Sequence, residues 1–177
     1  LLILIVILVY IVMATQFESL KFPFIIMFTI PFAFTGVFLA LWMTSTPLSL
    51  IALIGAIMLV GIVTKNGIVM VDYMNLLVER GSGVFDAVIA GGKSRLRPVL
   101  MTSFTTILGM LPLAIGTGVG SETWQPMGIA VIGGLTFSTL LTLFIIPALY
   151  SVFVNRSQRK EKEKLARLAA AHQASSH

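Results

Sequence analysis

The chain consists of successive apolar runs, and each run after the first is long enough to cross a lipid bilayer as a helix. A membrane-spanning helix needs about 20 consecutive apolar residues. Apolar residues make up 57% of the sequence and charged residues 11%, whereas soluble domains carry about 25% charged residues. The sequence therefore predicts an all-α polytopic membrane protein.

We interpret the runs as five transmembrane helices, at residues 1–14, 22–43, 48–73, 98–116 and 127–153. The first run provides only about 21 Å of helix against a hydrocarbon core of about 30 Å. It also starts without an initiator Met or a basic flank. We therefore expect the first helix to be truncated and the chain to be a fragment. In this interpretation residues 1–154 form the transmembrane segment and residues 155–177 form a cytoplasmic, mobile, charged tail.

Lys and Arg are unevenly distributed between the loops, which predicts the orientation of the chain. They occur in the turn at 16–21, in the segment 74–97 and in the tail, whereas the loops 44–47 and 117–126 have none. The positive-inside rule then places the basic segments in the cytoplasm. The tail holds six of the twelve Lys and Arg, which suits a segment next to anionic lipid. No nucleic-acid motif accompanies it.

Two local patterns refine the helices. Pro31 lies in the middle of the second run and predicts either a kink or an unpaired backbone carbonyl there. Residues 82–92 are amphipathic, which predicts a separate helix on the inner membrane surface. Ser82 fits its N-cap, and Gly91 with Gly92 fits its stop.

Lys65 is the one charged residue within 48–71. An ammonium at membrane depth costs about 2.5–3.5 kcal/mol on insertion scales, so it needs an acidic partner, a water-filled cavity or a route to the headgroups. Asp72 lies seven residues further on, about 10 Å along the helix axis, which is too far for contact. Lys65 therefore predicts a partner on another helix, inside or outside this chain. The alternative is a side chain that extends to the nearer interface, and the position of Lys65 well inside the span argues against it.

Four further polar residues each have two interpretations. Thr102 either packs or contacts a neighbouring charge, because hydroxyls can also bond to their own helix backbone. Arg95 is either a headgroup anchor or a functional cation. Asn66 either forms a hydrogen bond across helices or packs. Asp72 either faces cytoplasmic water or lies on a proton exit path.

The sequence offers little for enzymatic or metal chemistry. It contains no cysteine, which excludes disulfides and thiolate chemistry. His172 and His177 lack partners at ligand spacing, and no nucleophile stands beside a base. The glycine-rich stretch 116–120 is not followed by the Lys-Ser/Thr of a phosphate-binding loop. We therefore expect no enzyme, no catalytic residue and no metal site.

Four motifs occur in order along the chain. They are QFES at 16–19, VGIVTKNGIVMVDY at 60–73, RLRPVLMTS at 95–103 and PMGIAVIGG at 126–134. Together they resemble the C-terminal membrane segment of resistance–nodulation–division (RND) transporters, most closely the hydrophobe/amphiphile multidrug-efflux branch. The resemblance implies that the five helices are the eighth to the twelfth of a twelve-span subunit in the bacterial inner membrane.

The resemblance also implies a mechanism, which is efflux driven by the proton gradient without a bound cofactor. In this family a lysine of the tenth span, here Lys65, faces two aspartates of the fourth span. Arg95 and Thr102 match the arginine and threonine of the eleventh span, and Asn66 and Asp72 are candidate supports of the proton relay. A buried cation stabilises ionised carboxylates, and their protonation releases it, which gives a two-state switch.

Partners follow from the same resemblance. They are the rest of the transporter chain with its aspartate-bearing fourth span, two further copies in a homotrimer, a periplasmic adaptor, an outer-membrane channel and the lipid bilayer. One alternative is a non-transporting scaffold or sensor of the same fold, and another is an RND exporter of metals or lipids. A lysine at position 65 favours the drug-efflux branch over the metal-efflux branch.

Overall fold

The structure, a computed structural model, describes residues 2–174, with side chains for all of these except 157, 158, 160–162 and 168–174. The described range contains helices and no strand, which confirms the predicted all-α fold. In chain order the helices are α1 (Leu2–Phe17), α2 (Lys21–Met27), α3 (Ile30–Met43), α4 (Leu50–Glu79), α5 (Val84–Ile115) and α6 (Ser121–Ala174).

Within residues 2–174, four helical stretches are long and apolar enough to cross a membrane. These are Lys21–Met43, which combines α2 and α3, then Leu50–Glu79, Val84–Ile115 and Ser121–Arg156. The apolar helix α1 is shorter. The chain is therefore a multi-pass membrane protein, with helices at the five places where apolar runs occur.

The stretch formed by α2 and α3 is broken near its middle. Pro31 lies in the first turn of α3 and has no N–H to donate to the carbonyl of Met27. The hydroxyl of Thr29 donates to the carbonyl oxygen of Ile26 at 2.6 Å, so a polar side chain satisfies the backbone beside the break. The helix is thus interrupted directly before Pro31, the residue at which the sequence predicted a disturbance.

The helix α5 differs from the prediction. It begins at Val84, after Gly83 in the N-cap position, and continues without interruption to Ile115. Ser82 as N-cap and a stop at Gly91-Gly92 are therefore wrong. A Cβ atom at Gly91 would lie 2.6 Å from Cγ of Met74. Gly91 serves the close approach of α5 to α4, and not the end of a helix.

The helix α6 runs well beyond the membrane-spanning part. It continues from Arg156 through the charged segment to Ala174. The segment is rich in Arg, Lys, Glu and Ala, residue types with high helix propensity. Its backbone is thus helical in the structure, and its mobility remains a prediction.

In the bundle, α6 packs against α3, α4 and α5, while α1 lies at the edge against α2 and α4. Small residues allow this close packing. A Cβ atom at Gly36 of α3 would lie 2.6 Å from Cβ of Phe137 and 2.9 Å from the carbonyl oxygen of Gly133. A Cβ atom at Gly134 would lie 2.2 Å from Cδ2 of Leu59 in α4. Glycine lets both neighbours approach the backbone of α6.

The apolar interior has two parts, one toward each end of the bundle. One core contains ten buried residues of α3, α4 and α6, among them Val37, Leu59 and Leu135. The other core lies at the end where α4 joins α5 and contains Met13, Ile26, Met70, Val71, Met74, Ile146 and Tyr150. That end also carries Lys21, Arg80 and Lys93, and we call it the basic end.

The close contact at Gly36 makes a stability prediction. Gly36→Ala should lower the free energy of unfolding by about 1–3 kcal/mol, because the new methyl group would overlap a backbone oxygen and a Cβ atom. Gly109→Ala is the matched control, since no atom of the described residues lies within 4 Å of a Cβ atom there. It should be neutral or stabilising by about 0.5–1 kcal/mol. Thermal unfolding of the full-length protein in detergent measures both, and equal effects would contradict this packing.

The register of α4 and α5 is testable because the chain has no native cysteine. A Cβ atom at Gly91 would lie 3.6 Å from Cβ of Met74, within the range of about 3.5–4.5 Å found in disulfides. Met74→Cys with Gly91→Cys should therefore form a disulfide on mild oxidation, measured as loss of thiol labelling. Met74→Cys with Gly92→Cys should not, since a Cβ atom at Gly92 has nothing within 4 Å. Faster oxidation of the second pair would show that the register is wrong.

Candidate functional site

Buried polar side chains form a layer between the two apolar cores. The layer consists of Thr64 and Asn66 on α4, Ser103 on α5, and Ser138, Thr139 and Thr142 on α6. On α4 it follows the last residue of one core, Val63, and precedes the first of the other, Met70. The helices α4 and α6 run parallel to each other. Leu59 contacts Gly134 on one side of the layer, and Gly67 contacts Ile146 on the other side. We call these six residues the polar layer.

Hydrogen bonding within the polar layer is incomplete. The hydroxyls of Ser103 and Thr139 share a buried hydrogen bond of 2.9 Å between α5 and α6. The hydroxyl oxygens of Thr64, Ser138 and Thr142 are buried without a partner in the described structure. A buried polar group without a hydrogen bond costs about 1–3 kcal/mol. The middle of the bundle therefore keeps unused hydrogen-bonding capacity.

Lys65 lies at the same depth as this layer but on the exposed face of α4. Its side chain is exposed and lines a groove of about 450 Å³ between α1 and α4. Apart from Lys65, Thr64 and Gln16, the residues lining this groove are apolar or glycine. No hydrogen bond or ion pair joins Lys65 to another residue within 2–174. The partner predicted for this cation is thus not among the described residues.

Two contacts set the relative position of α4 and α5 at the basic end. Gly91 lies against Met74, and the guanidinium carbon of Arg95 lies 4.6 Å from the ring centroid of Tyr73. Arg95 is half-buried, and its Nε is buried without a hydrogen-bond partner in the described part of the chain. The guanidinium of Arg95 therefore packs against α4 and is only partly exposed.

The same register gives the depth of Thr102. The two helices run antiparallel with equal rise per residue, so Thr102, seven residues after Arg95, lies level with residues 63–66 of α4. That is the depth of Lys65. The hydroxyl of Thr102 is exposed and donates to the carbonyl oxygen of Pro98 at 3.0 Å. Its donor is thus used within its own helix, while its oxygen can still accept a hydrogen bond from a cation.

The two remaining candidates lie on different faces of α4. Asn66 is buried, with 7% of its surface exposed, and points into the bundle from the position after Lys65. Asp72 is exposed on the same face as Lys65, two turns closer to the basic end. The structure therefore groups Lys65, Asn66 and Thr102 at one depth and leaves Asp72 and Arg95 nearer the basic end. The functional roles of all five stay predictions.

The sequence did not single out Tyr73 as a partner of Arg95, nor Ser103, Thr139 and Thr64 as members of a polar layer. Tyr73 appeared only as the last residue of the predicted span 48–73. Each hydroxyl alone has the ordinary role of a residue that bonds to its own helix. One signal was available: the buried hydroxyls of α4 and α5 are sequence neighbours of Lys65 and Thr102.

Within the described residues, no group of three or more His, Asp or Glu side chains could hold a metal ion.

Comparison with known proteins identifies the family. The model of the AcrB/AcrD/AcrF family matches residues 1–154. The Multidrug resistance protein MdtC of Erwinia tasmaniensis is 44% identical over 156 residues, covering 87% of this chain and 15% of that protein. The Cobalt-zinc-cadmium resistance protein CzcA of Cupriavidus metallidurans is 40% identical over 156 residues, covering 88% of this chain and 14% of that protein.

A solved structure agrees with these relatives. The X-ray crystal structure of a heavy metal efflux pump matches with a TM-score of 0.78 and 32% identity, covering 87% of this chain and 15% of that chain. This chain thus spans about 15% of the length of its relatives. A multidrug and a metal resistance protein match it almost equally well, so similarity does not separate the two branches. The chain belongs to the AcrB/AcrD/AcrF family and corresponds to part of the membrane domain of an RND efflux transporter.

Proposed function

We propose that this chain is the lysine-bearing part of the proton relay in a proton-driven efflux transporter. The observation that carries the proposal is the position of Lys65, halfway along a membrane-spanning helix and without a hydrogen bond or ion pair among the described residues. A cation at this depth costs about 2.5–3.5 kcal/mol and needs a compensating group. The groove beside Lys65 has room for side chains from another part of the transporter.

Carboxylates are the partners that fit this site. A cation close to a carboxylate favours its ionised form and lowers its pKa, while protonation of the carboxylate removes the attraction. Lys65 would then contact the carboxylates before protonation and separate from them afterwards. Two arrangements with different helix contacts can thus be driven alternately by proton uptake and release. The aspartate pair of the fourth span, implied by the family, is the proposed source of these carboxylates.

The neighbouring polar residues have supporting roles in this proposal. Thr102 lies at the depth of Lys65, and its hydroxyl oxygen can accept a hydrogen bond from a cation. Arg95 contributes a second positive charge closer to the basic end. Asn66 anchors α4 beside Lys65 by its buried side chain. Asp72 is exposed two turns below Lys65, on the side where a proton would leave toward the cytoplasm.

The cargo is proposed to be a drug or another organic amphiphile. The relative MdtC has multidrug resistance in its name, and the lysine at position 65 fits the drug-efflux branch. Metal efflux is the second candidate, because CzcA and the heavy metal efflux pump share most of this chain. Transport of either cargo by the full-length protein, measured with both classes of substrate in parallel, distinguishes the two.

We further propose the cellular setting. The protein is placed in the bacterial inner membrane with its C-terminal tail in the cytoplasm, because the loops rich in Lys and Arg lie at one end of the bundle. The family relationship supports a homotrimer that works with a periplasmic adaptor and an outer-membrane channel.

The relay is tested by substitutions of Lys65 in the full-length transporter. Lys65→Met keeps an unbranched side chain and removes the charge, which leaves carboxylates without a partner at a cost of about 3–5 kcal/mol. Proton-coupled efflux in proteoliposomes should fall more than tenfold by this estimate. Lys65→Arg should also impair efflux strongly, because a planar guanidinium does not replace a compact ammonium. Normal efflux by Lys65→Met, at equal protein amount, would refute the proposal.

The orientation makes a separate prediction. Cysteines introduced at Ser45 and Thr123 should react with a membrane-impermeant thiol reagent from the periplasmic side. A cysteine at Ser82, in the loop between α4 and α5, should react only after the membrane is opened. Labelling of position 82 in intact spheroplasts would reverse the proposed topology.

A further inference from the structure

We infer that Tyr73 is a positioning residue for Arg95: the face of its aromatic ring holds the guanidinium at the α4–α5 contact and leaves its positive charge uncompensated. The inference rests on the proposed function, because it concerns one of the two cations of the relay. It adds a residue that acts through the face of its aromatic ring.

The contact itself is well defined. The guanidinium carbon of Arg95 lies 4.6 Å from the ring centroid of Tyr73, inside the distance of about 6 Å at which a ring face attracts a cation. Nε of Arg95 is buried without a hydrogen-bond partner, and no ion pair holds Arg95 within the described residues. The ring of Tyr73 is therefore the group that fixes this guanidinium in the described structure.

The backbone around the contact is also fixed. Gly91 lies one turn before Arg95 on α5, and Met74 follows Tyr73 on α4. A Cβ atom at Gly91 would lie 2.6 Å from Cγ of Met74, so the two helices approach closely beside the ring. A small displacement of either helix would change the distance between ring and guanidinium. The distance between ring and guanidinium is therefore kept by the close packing of α4 and α5.

A ring holds a cation differently from a carboxylate. An ion pair would compensate the charge of Arg95, whereas the attraction to a neutral ring comes from its quadrupole and leaves the net charge in place. Asp72 is next to Tyr73 in the sequence, but its side chain is exposed and forms no ion pair with Arg95 in the described structure. Arg95 thus keeps a charge that can act on the carboxylates of the relay.

The position of Arg95 relative to Thr102 determines how far this charge lies from the depth of Lys65. The two residues are seven positions apart on α5, on one face of the helix and about 10 Å from each other along its axis. Thr102 lies at the depth of Lys65. By fixing Arg95, the ring of Tyr73 sets the distance along the helix axis between the guanidinium of Arg95 and the depth of Lys65.

The experiment compares Tyr73→Phe, which keeps the ring, with Tyr73→Leu, which keeps an apolar side chain and removes the ring. The full-length transporter carrying each variant is treated in detergent with phenylglyoxal, a reagent for arginine, and the modification of Arg95 is followed by mass spectrometry. Arg97 is the internal control, because it is exposed and two positions away. Modification of Arg95 should become about three- to tenfold faster in Tyr73→Leu, the range expected for loss of one cation–π contact. It should be unchanged in Tyr73→Phe, and Arg97 should react equally in all variants.

The second measurement is the pH dependence of proton-coupled efflux in proteoliposomes. Tyr73→Leu should shift the pH profile in the direction of Arg95→Gln, and the double variant should resemble Arg95→Gln alone, because residues that act through each other are not additive. Tyr73→Phe should keep the native profile. Tyr10→Leu, a loss of a tyrosine on α1 away from Arg95, controls for general effects of removing an aromatic residue.

The outcomes separate this inference from the proposed function. Equal reactivity of Arg95 in Tyr73→Leu and the native protein would overturn the contact, whatever the transport activity. Faster modification with a native pH profile would overturn the positioning role. If the native protein shows no proton-coupled efflux at all, the proposed function fails, and the reactivity of Arg95 still decides whether the ring holds the guanidinium.

Discussion

Direct approach of neighbouring helices to the backbone of α6 is the constraint on which the rest of this structure depends. At Gly133, Gly134 and Gly128, atoms of α3, α4 and α5 occupy the space that a side chain would need. In lipid there is little hydrophobic driving force between helices, so close van der Waals packing and interhelical hydrogen bonds carry their association. Each of these contacts also fixes the depth of a neighbouring helix relative to α6.

Because the depths of α3, α4 and α5 relative to α6 are fixed, polar residues that are far apart in the sequence form one layer. The hydroxyls of α4, α5 and α6 are separated by many positions in sequence, yet the glycine contacts bring them to one level between two apolar cores. Lys65 and Thr102 are the outward-facing sequence neighbours of this layer. Packing that is itself free of charge therefore sets the depth of the charged and hydroxyl groups of the candidate site.

Much of the fold was predictable from local signals. Apolar runs indicated the helices, since only a helix of that length crosses a bilayer with its backbone bonded, and Pro31 indicated the break between α2 and α3. Lys65 was evident from the cost of its charge. Gly91 was misread, because a sequence does not distinguish a glycine that ends a helix from one that admits a neighbouring side chain. The ring of Tyr73 and the pair of Ser103 and Thr139 depend on helix register, which single residues do not encode.

The chain is almost equally similar to a multidrug resistance protein and to a metal resistance protein. The proposed function provides a physical explanation for this. A proton relay requires a cation at mid-depth, a carboxylate that it can leave, and helices whose contacts have two arrangements. None of these requirements involves direct contact with the cargo. The polar layer is made of hydroxyls and one amide, without the thiolate, thioether or imidazole groups that soft or borderline metals prefer. In that proposal the part of the transporter represented by this chain supplies movement for either class of cargo.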